Sequence, residues 1–177
     1  MNQLKPVLKS LFVLFLIFAL AGCKVQGPYY NNSEKPFQEN YPDKANIEYT
    51  LFLVGDAGDA TKNSDVFSEL KKDITFMGSQ SAVVNLGDNA YPVGLPDKIN
   101  KWRSKAEEAL DTQIETFKDY RGEVFFIPGN HDWAKGKKHG FRFLLNQEHY
   151  LNEAMGKRVF YPEKGCPGPV EIVLNDT

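Results

Sequence analysis

Residues 82–91 read AVVNLGDNAY, an apolar run that ends in a glycine followed by a polar residue, and the pattern occurs three times in the chain. Residues 49–58 read YTLFLVGDAG, and residues 124–132 read VFFIPGNHD. Short apolar runs bounded by turn residues are typical of strands buried on both faces of a parallel sheet. The predicted strands are 49–54, 82–86 and 124–127.

Helical patterns separate these strands. Residues 63–76 place apolar side chains at helical spacing, namely Val66, Phe67, Leu70 and Ile74. Two further helices are predicted at 96–120 and 140–154. Alternation of strand and helix favours right-handed crossovers, so we predict an α/β fold built from βαβαβ units on a parallel sheet.

Polar side chains follow each predicted strand. The carboxyl ends of parallel strands meet at one crevice, where α/β proteins bind ligands. We therefore expect two carboxylates, a phenol, an amide and an imidazole to converge, from Asp56, Asp88, Tyr91, Asn130 and His131. Hard oxygen ligands with a few nitrogens suit a metal ion that activates water.

The three turns resemble the motifs of the calcineurin-like metallophosphoesterase superfamily, which run D-x-H, G-D-x-x and G-N-H-D/E. The resemblance spans roughly residues 48 to 177. In the first motif Gly58 stands where the family has histidine, and Tyr91 follows the second motif. This pair resembles the purple acid phosphatase branch. The resemblance implies a β-sandwich flanked by helices and the hydrolysis of phosphomonoesters, with a phosphodiesterase or nucleotidase as the alternative.

The resemblance also implies roles for individual residues. Asp56 would bind one metal ion, Asp88 would bridge two ions, and Asn130 would bind the second. Tyr91 would bind ferric iron as a phenolate, so the cofactors are expected to be iron plus zinc, manganese or a second iron. His131 would contact the phosphoryl group and assist the leaving oxygen. Each residue alone has an ordinary structural alternative, such as a turn, a helix cap or a core aromatic.

Other polar residues near the turns are harder to assign. Asn89 and His139 are candidate substrate contacts, and Lys137 and Lys138 share the His139 loop, whose alternative is a solvated surface. Asp132 either orients His131 or caps its turn. The expected substrate is a phosphorylated small molecule, and no basic patch indicates nucleic acid, since the net charge is −2.

The N-terminus has the features of an exported protein. Lys5 and Lys9 precede an apolar stretch of eleven residues at 11–21, too short to span a bilayer. Leu20-Ala21-Gly22-Cys23 resembles a bacterial lipoprotein signal, which implies cleavage and lipidation at Cys23. The alternatives are an ordinary secretory signal or a short anchor helix. We predict a signal peptide at 1–22, a tether at 23–46 and the phosphoesterase domain at 47–177, anchored in the cell envelope, either periplasmic or at the outer membrane.

The C-terminal part of the domain raises a second hypothesis. Family members carry further histidine ligands there, whereas this chain has no histidine after His149, and residues 170–174 are predicted as a last strand. We therefore expect an incomplete domain that, expressed alone as residues 24–177, is aggregation-prone or loosely packed and has negligible phosphatase activity. The alternative to an enzyme is a non-catalytic remnant or a binding module.

Overall fold

The computed structural model describes residues 46–165 and 168–174. Three parallel strands form one sheet in the order β1-β2-β3. The strands are β1 at Thr50–Val54, β2 at Ser81–Asn85 and β3 at Glu123–Phe126. The helices are α1 at Asp65–Met77, α2 at Arg103–Phe117 and α3 at Gly140–Met155. The prediction of an α/β fold with a parallel sheet flanked by helices is confirmed.

The strands end in register, and this places the three polar turns together. Val54 pairs with Asn85 in β2, which pairs with Phe126 in β3. The ladder continues one step further, because the Leu86 amide donates to Val54 O at 2.6 Å and the Ile127 amide donates to Asn85 O at 2.9 Å. Residues 55–58, 87–91 and 129–132 therefore leave the sheet at one edge.

One face of the sheet carries the hydrophobic core. Val83, Val124 and Phe126 are buried on this face. Each helix contributes buried residues to the same cluster, among them Ile74 from α1, Leu110 and Phe117 from α2, and Leu144 and Leu151 from α3. The Phe117 and Phe126 rings meet edge to face at 6.1 Å. The core thus fixes the sheet edge from which the polar turns project.

The predicted helix at 96–120 begins later than its pattern indicated. Residues 96–102 form turns, in which the Asn100 amide donates to Asp97 O at 2.9 Å. The side-chain oxygen of Asn100 accepts from the Trp102 amide at 3.0 Å. An asparagine side chain that bonds nearby backbone competes with the helix, so α2 begins at Arg103.

The predicted strand at 170–174 is wrong, since these residues pair with no strand among the described parts of the chain. Val170, Ile172 and Leu174 instead line a cavity with Val84 and Phe125 on the second sheet face. Val170 and Ile172 stay exposed in this position. Beyond β3, Phe126 makes an isolated parallel bridge to Phe160.

Two predicted regions lie wholly or mostly outside the described residues. These are the signal peptide at 1–22 and the tether at 23–46, with both cysteines, Cys23 and Cys166. Within the described ranges, no helix is both long and apolar enough to cross a membrane.

Candidate active site

Tyr91 joins the carboxylates of the first two turns. Its hydroxyl donates to Asp56 Oδ1 at 2.6 Å and lies 3.4 Å from Asp88 Oδ2. The hydrogen bond to Asp56, burial and the charge of Asp88 raise the pKa of the Tyr91 phenol above its usual value near 10. Three oxygens from two sheet turns therefore meet at one point, as the sequence predicted for these residues.

The backbone of both aspartates is unusual. Asp56 has a φ of 56° and Asp88 a φ of 55°, in the left-handed region that few residues other than glycine adopt. The Asp56 amide donates to Gly87 O at 3.2 Å, which ties the two turns together. Backbone strain of this kind occurs at functional sites, where the surrounding fold holds it.

Gly58 gives room for Tyr91. A Cβ at position 58 would lie 2.6 Å from Tyr91 N, 2.8 Å from Asp88 O and 2.8 Å from Tyr91 Cδ2. The Tyr91 amide also donates to Gly58 O at 3.0 Å. A histidine at position 58 is therefore incompatible with this position of Tyr91. The glycine of the first motif and the tyrosine that follows the second motif therefore pack directly against each other.

His131 faces the same point from the third turn. Its amide donates to Asp88 Oδ1 at 3.0 Å, and its ring meets the Tyr91 ring edge to face at 4.5 Å. Nδ1 lies 2.9 Å from Pro92 O. A carbonyl oxygen only accepts, so Nδ1 carries a hydrogen and Nε2 is the ring nitrogen left for a ligand.

Asn130 lies beside His131 and is exposed. The backbone carbonyl of Asn130 accepts a hydrogen bond from the Lys135 amide at 2.8 Å, which fixes the turn. The preceding residue, Gly129, packs directly on the Asp88 carboxylate, and a Cβ there would collide with it. The third turn thus approaches Asp88 as closely as backbone allows.

Asn89 was predicted as a substrate contact, but its side chain is fully buried. Its Nδ2 donates to Ile127 O at 2.9 Å and to Asp132 Oδ2 at 3.2 Å. The side chain points away from the crevice and holds the second turn to the third. This geometry gives Asn89 a structural role in the described site.

Asp132 is also fully buried, and it accepts hydrogen bonds from both turns. Burial raises the pKa of its carboxyl, and the donated hydrogen bonds from Gly129, Asn89 and Ala90 oppose that rise. Of the two predicted roles, capping its own turn is observed through the Gly129 amide at 2.8 Å. The contacts with the second turn were missed, because nothing in the sequence spacing indicates them.

The remaining histidines lie apart from this cluster of contacts. His139 is exposed, precedes α3 and stacks on Phe143 with ring centroids 6.1 Å apart. His149 is exposed on α3, with Nε2 3.3 Å from Glu153 Oε2. A substrate contact by His139 stays a prediction.

The donors can be tested against a metal ion. In the described ranges, no group of three or more His, Cys, Asp or Glu side chains is placed to hold a metal. The Tyr91 phenol and the Asn130 amide would therefore have to complete the coordination that Asp56 and Asp88 begin. Carboxylate, phenol and amide oxygens are hard donors, so these residues fit part of the coordination shell of a hard cation.

A set of hard donors at the carboxyl edge of a parallel sheet is the arrangement that a metal-dependent hydrolase requires. The family model of the calcineurin-like phosphoesterases matches residues 49–172, well over half of the 177 residues, and the chain belongs to that family. The family hydrolyses phosphoesters and generally uses two metal ions. No curated protein and no solved structure matches the chain at a significant level.

Proposed function

We propose that the protein is an acid-phosphatase-like phosphomonoesterase of the purple acid phosphatase branch, held in the cell envelope by a lipid on Cys23. The observation that carries the branch assignment is the coupled pair Gly58 and Tyr91. The glycine leaves room for the phenol, and the phenol lies 2.6 Å from Asp56 Oδ1. In this position the Tyr91 phenol would supply the metal ligand that the histidine of the D-x-H motif supplies elsewhere in the family.

A dinuclear site would use the residues of all three turns. Asp56 and Tyr91 would hold one ion, Asn130 the other, and Asp88 both. When bound, the ions supply activation of a water molecule and stabilisation of negative charge on the phosphoryl oxygens. Iron as one ion is favoured by Tyr91, because a phenol with a raised pKa gives up its proton only to a strong Lewis acid.

The protein's own groups prepare the reaction. The His131 amide holds Asp88 Oδ1, and the Pro92 carbonyl fixes the His131 ring, so Nε2 keeps one orientation. With a second proton on the ring, Nε2 would donate that proton to the oxygen of the leaving group, and His131 would return to the neutral form that carries its hydrogen on Nδ1. Tyr91 packs edge to face against the imidazole and limits its rotation.

The location in the envelope rests on the sequence of the N-terminus alone. Lys5, Lys9 and the apolar segment 11–21 precede Cys23 with the spacing of a lipoprotein signal. Acylation at Cys23 with more than one chain would give stable anchoring, since a single chain binds membranes only marginally. Residues 24–46 would then hold the domain off the membrane.

A second candidate is a metal-binding module without turnover. It is favoured by the small number of charged ligands, because Asp56 and Asp88 are the carboxylates that the described site offers to a metal, while the Asp132 carboxylate is taken up by backbone N–H groups. A single weakly held ion would not stabilise the charge of a phosphoryl transition state as two ions do.

The variant Asp88→Ala tests the proposal, with Asp73→Ala on the exposed side of α1 as the matched control. Metal content and hydrolysis of a phosphomonoester and a phosphodiester are measured on both. We expect metal and activity to be lost together in Asp88→Ala and kept in Asp73→Ala. Metal binding without turnover in the unaltered protein would favour the binding module, and a preference for the diester would contradict the phosphomonoesterase assignment.

A further inference from the structure

The Asp132 carboxylate is the most densely bonded side chain of the site. Oδ1 accepts from the amides of Asn89 at 3.1 Å and Ala90 at 3.2 Å. Oδ2 accepts from the Gly129 amide at 2.8 Å, the Asn89 amide at 3.2 Å and Asn89 Nδ2 at 3.2 Å. Four N–H groups therefore converge on one carboxylate, from two turns that are about 40 residues apart in sequence.

These donors surround the proposed metal ligands. Asn89 and Ala90 lie between Asp88 and Tyr91, and Gly129 precedes Asn130. A carboxylate that binds these amides fixes the backbone positions of the adjacent residues Asp88, Tyr91 and Asn130. The loop that follows Tyr91 packs closely on the Asp132 backbone, since a Cβ at Gly94 would lie 2.5 Å from Asp132 O and 2.9 Å from its Cα.

Because Asp132 is buried, its carboxylate depends on these hydrogen bonds. Asp132 has no exposed surface, and a buried carboxylate is tolerated only where hydrogen bonds replace its water. If either turn moved away, the carboxylate would lose donors that water cannot replace. The position of one turn therefore depends on the position of the other through Asp132.

The hydrogen bonds of the Asp132 carboxylate do not include the His131 ring, whose Nδ1 lies 2.9 Å from Pro92 O instead. Its role is not that of a carboxylate that orients the neighbouring imidazole. We propose that Asp132 is a positioning residue that holds the Asp88 turn against the Asn130 turn and so sets the distance between ligands of the two turns. This inference rests on the proposed metal site.

The test compares Asp132→Asn with Asp111→Asn in the full-length protein. Asparagine keeps the shape of Asp132 but replaces one carboxylate oxygen by an N–H₂ group. That group cannot accept the hydrogen bonds of the backbone amides that it faces, either those of Asn89 and Ala90 or that of Gly129. Asp111 is a matched control, since it accepts a 2.6 Å hydrogen bond from the Tyr150 hydroxyl between α2 and α3. Mn²⁺ affinity is obtained from the concentration of free Mn²⁺, which electron paramagnetic resonance measures. The temperature is kept well below the unfolding midpoint of each variant. Amide hydrogen exchange is measured without metal.

We expect Asp132→Asn to weaken Mn²⁺ binding about 10–100-fold, as is usual for groups that hold metal ligands. Exchange should accelerate at Asn89, Ala90 and Gly129. Asp111→Asn should leave affinity within twofold and these amides protected. Unchanged affinity in Asp132→Asn, or equal weakening in both variants, would overturn the inference.

Two other results are possible, namely that Asp132→Asn does not fold or that the unaltered protein binds no metal. If Asp132→Asn does not fold, Asn89→Ala removes one side-chain donor and should weaken binding in the same direction, whereas unchanged affinity overturns the inference. If the unaltered protein binds no Mn²⁺ or iron, the proposed function fails. Exchange at the three amides still decides whether Asp132 holds the turns together.

Discussion

Tyr91 and Asp56 are 35 positions apart in sequence, and the phenol donates to the carboxylate at 2.6 Å. The bond stabilises the protonated phenol and is the largest cause of its raised pKa. A cation that binds Tyr91 must therefore displace this proton. Competition between the proton and the metal explains why a weak Lewis acid would leave the Tyr91–Asp56 hydrogen bond intact.

Replacement of Tyr91 by phenylalanine tests the identity of the metal. If Tyr91 binds ferric iron, the oxidised full-length protein shows a visible charge-transfer band that is absent from Tyr91→Phe. Tyr150→Phe, which removes a phenol between α2 and α3, should keep the band. A colourless, fully active protein that binds only zinc or manganese would instead make Tyr91 structural and remove the protein from the purple branch.

The sequence predicted the site edge well because the signal is local. Each apolar run ends at a glycine, and parallel pairing then brings residues such as Asp56 and Asp88 together. Asn89 could not be placed in this way, because its side chain turns inward to Ile127 O and Asp132. The direction of a side chain in a turn depends on hydrogen-bond partners in distant residues, here the acceptors Ile127 O and Asp132 Oδ2.

The errors in secondary structure have similar causes. The apolar pattern at 96–102 is helical in spacing, yet Asn100 bonds its own backbone and delays α2. The alternation at 170–174 is strand-like, yet Val170 and Ile172 stay exposed and line a cavity beside Val84 and Phe125 without a ladder. Periodicity alone therefore does not predict which hydrogen bonds a segment makes.

Removal of the His131 imidazole separates catalysis from metal binding. His131→Ala keeps the backbone amide that donates to Asp88 Oδ1, so bound metal should be retained. Loss of the proton donor should reduce kcat about 10²–10⁴-fold. Metal analysis and steady-state kinetics measure both effects, with the exposed His149→Ala as the control. Loss of metal from His131→Ala would mean that the imidazole is a ligand.

The two cysteines provide a matched test of lipidation. Cys23→Ser should block lipid attachment and move the protein from the membrane fraction to the soluble fraction, because anchoring depends on the acyl chains. Cys166→Ser should stay with the membrane. Fractionation and mass spectrometry of the N-terminus are the measurements. Retention of Cys23→Ser in the membrane, with an unacylated N-terminus, contradicts the lipoprotein hypothesis.

Gly58 and Gly55 distinguish a required glycine from a tolerant one. In Gly58→Ala the added Cβ would lie 2.6 Å from Tyr91 N, so the turn must shift, at a cost of about 1–3 kcal/mol in the free energy of unfolding. Gly55→Ala meets nothing within 4 Å and should cost less. Denaturant unfolding measures both. The same shift moves Tyr91, so Gly58→Ala should also weaken any iron band; equal stability of the two variants would contradict the steric coupling.

Tyr150 provides a test of the fold that is independent of the metal. Its hydroxyl donates to Asp111 Oδ1 at 2.6 Å, and burial followed by this bond raises the pKa of the phenol well above 10. The folded state therefore keeps Tyr150 neutral at a pH where the unfolded chain ionises it. The stabilisation is fully present below pH 10 and is lost as pH rises above that value.

The variant Tyr150→Phe should lower the free energy of unfolding by about 1 kcal/mol at pH 8, the usual contribution of one hydrogen bond. Because phenylalanine does not ionise, the difference from the unaltered protein should shrink as the pH is raised from 10 to 11. Urea unfolding at each pH is the measurement, and Tyr161→Phe, whose ring packs on Phe125, is the control for loss of a phenol elsewhere. A difference that stays constant across this range would show that the Tyr150–Asp111 hydrogen bond does not govern the alkaline stability of α2 and α3.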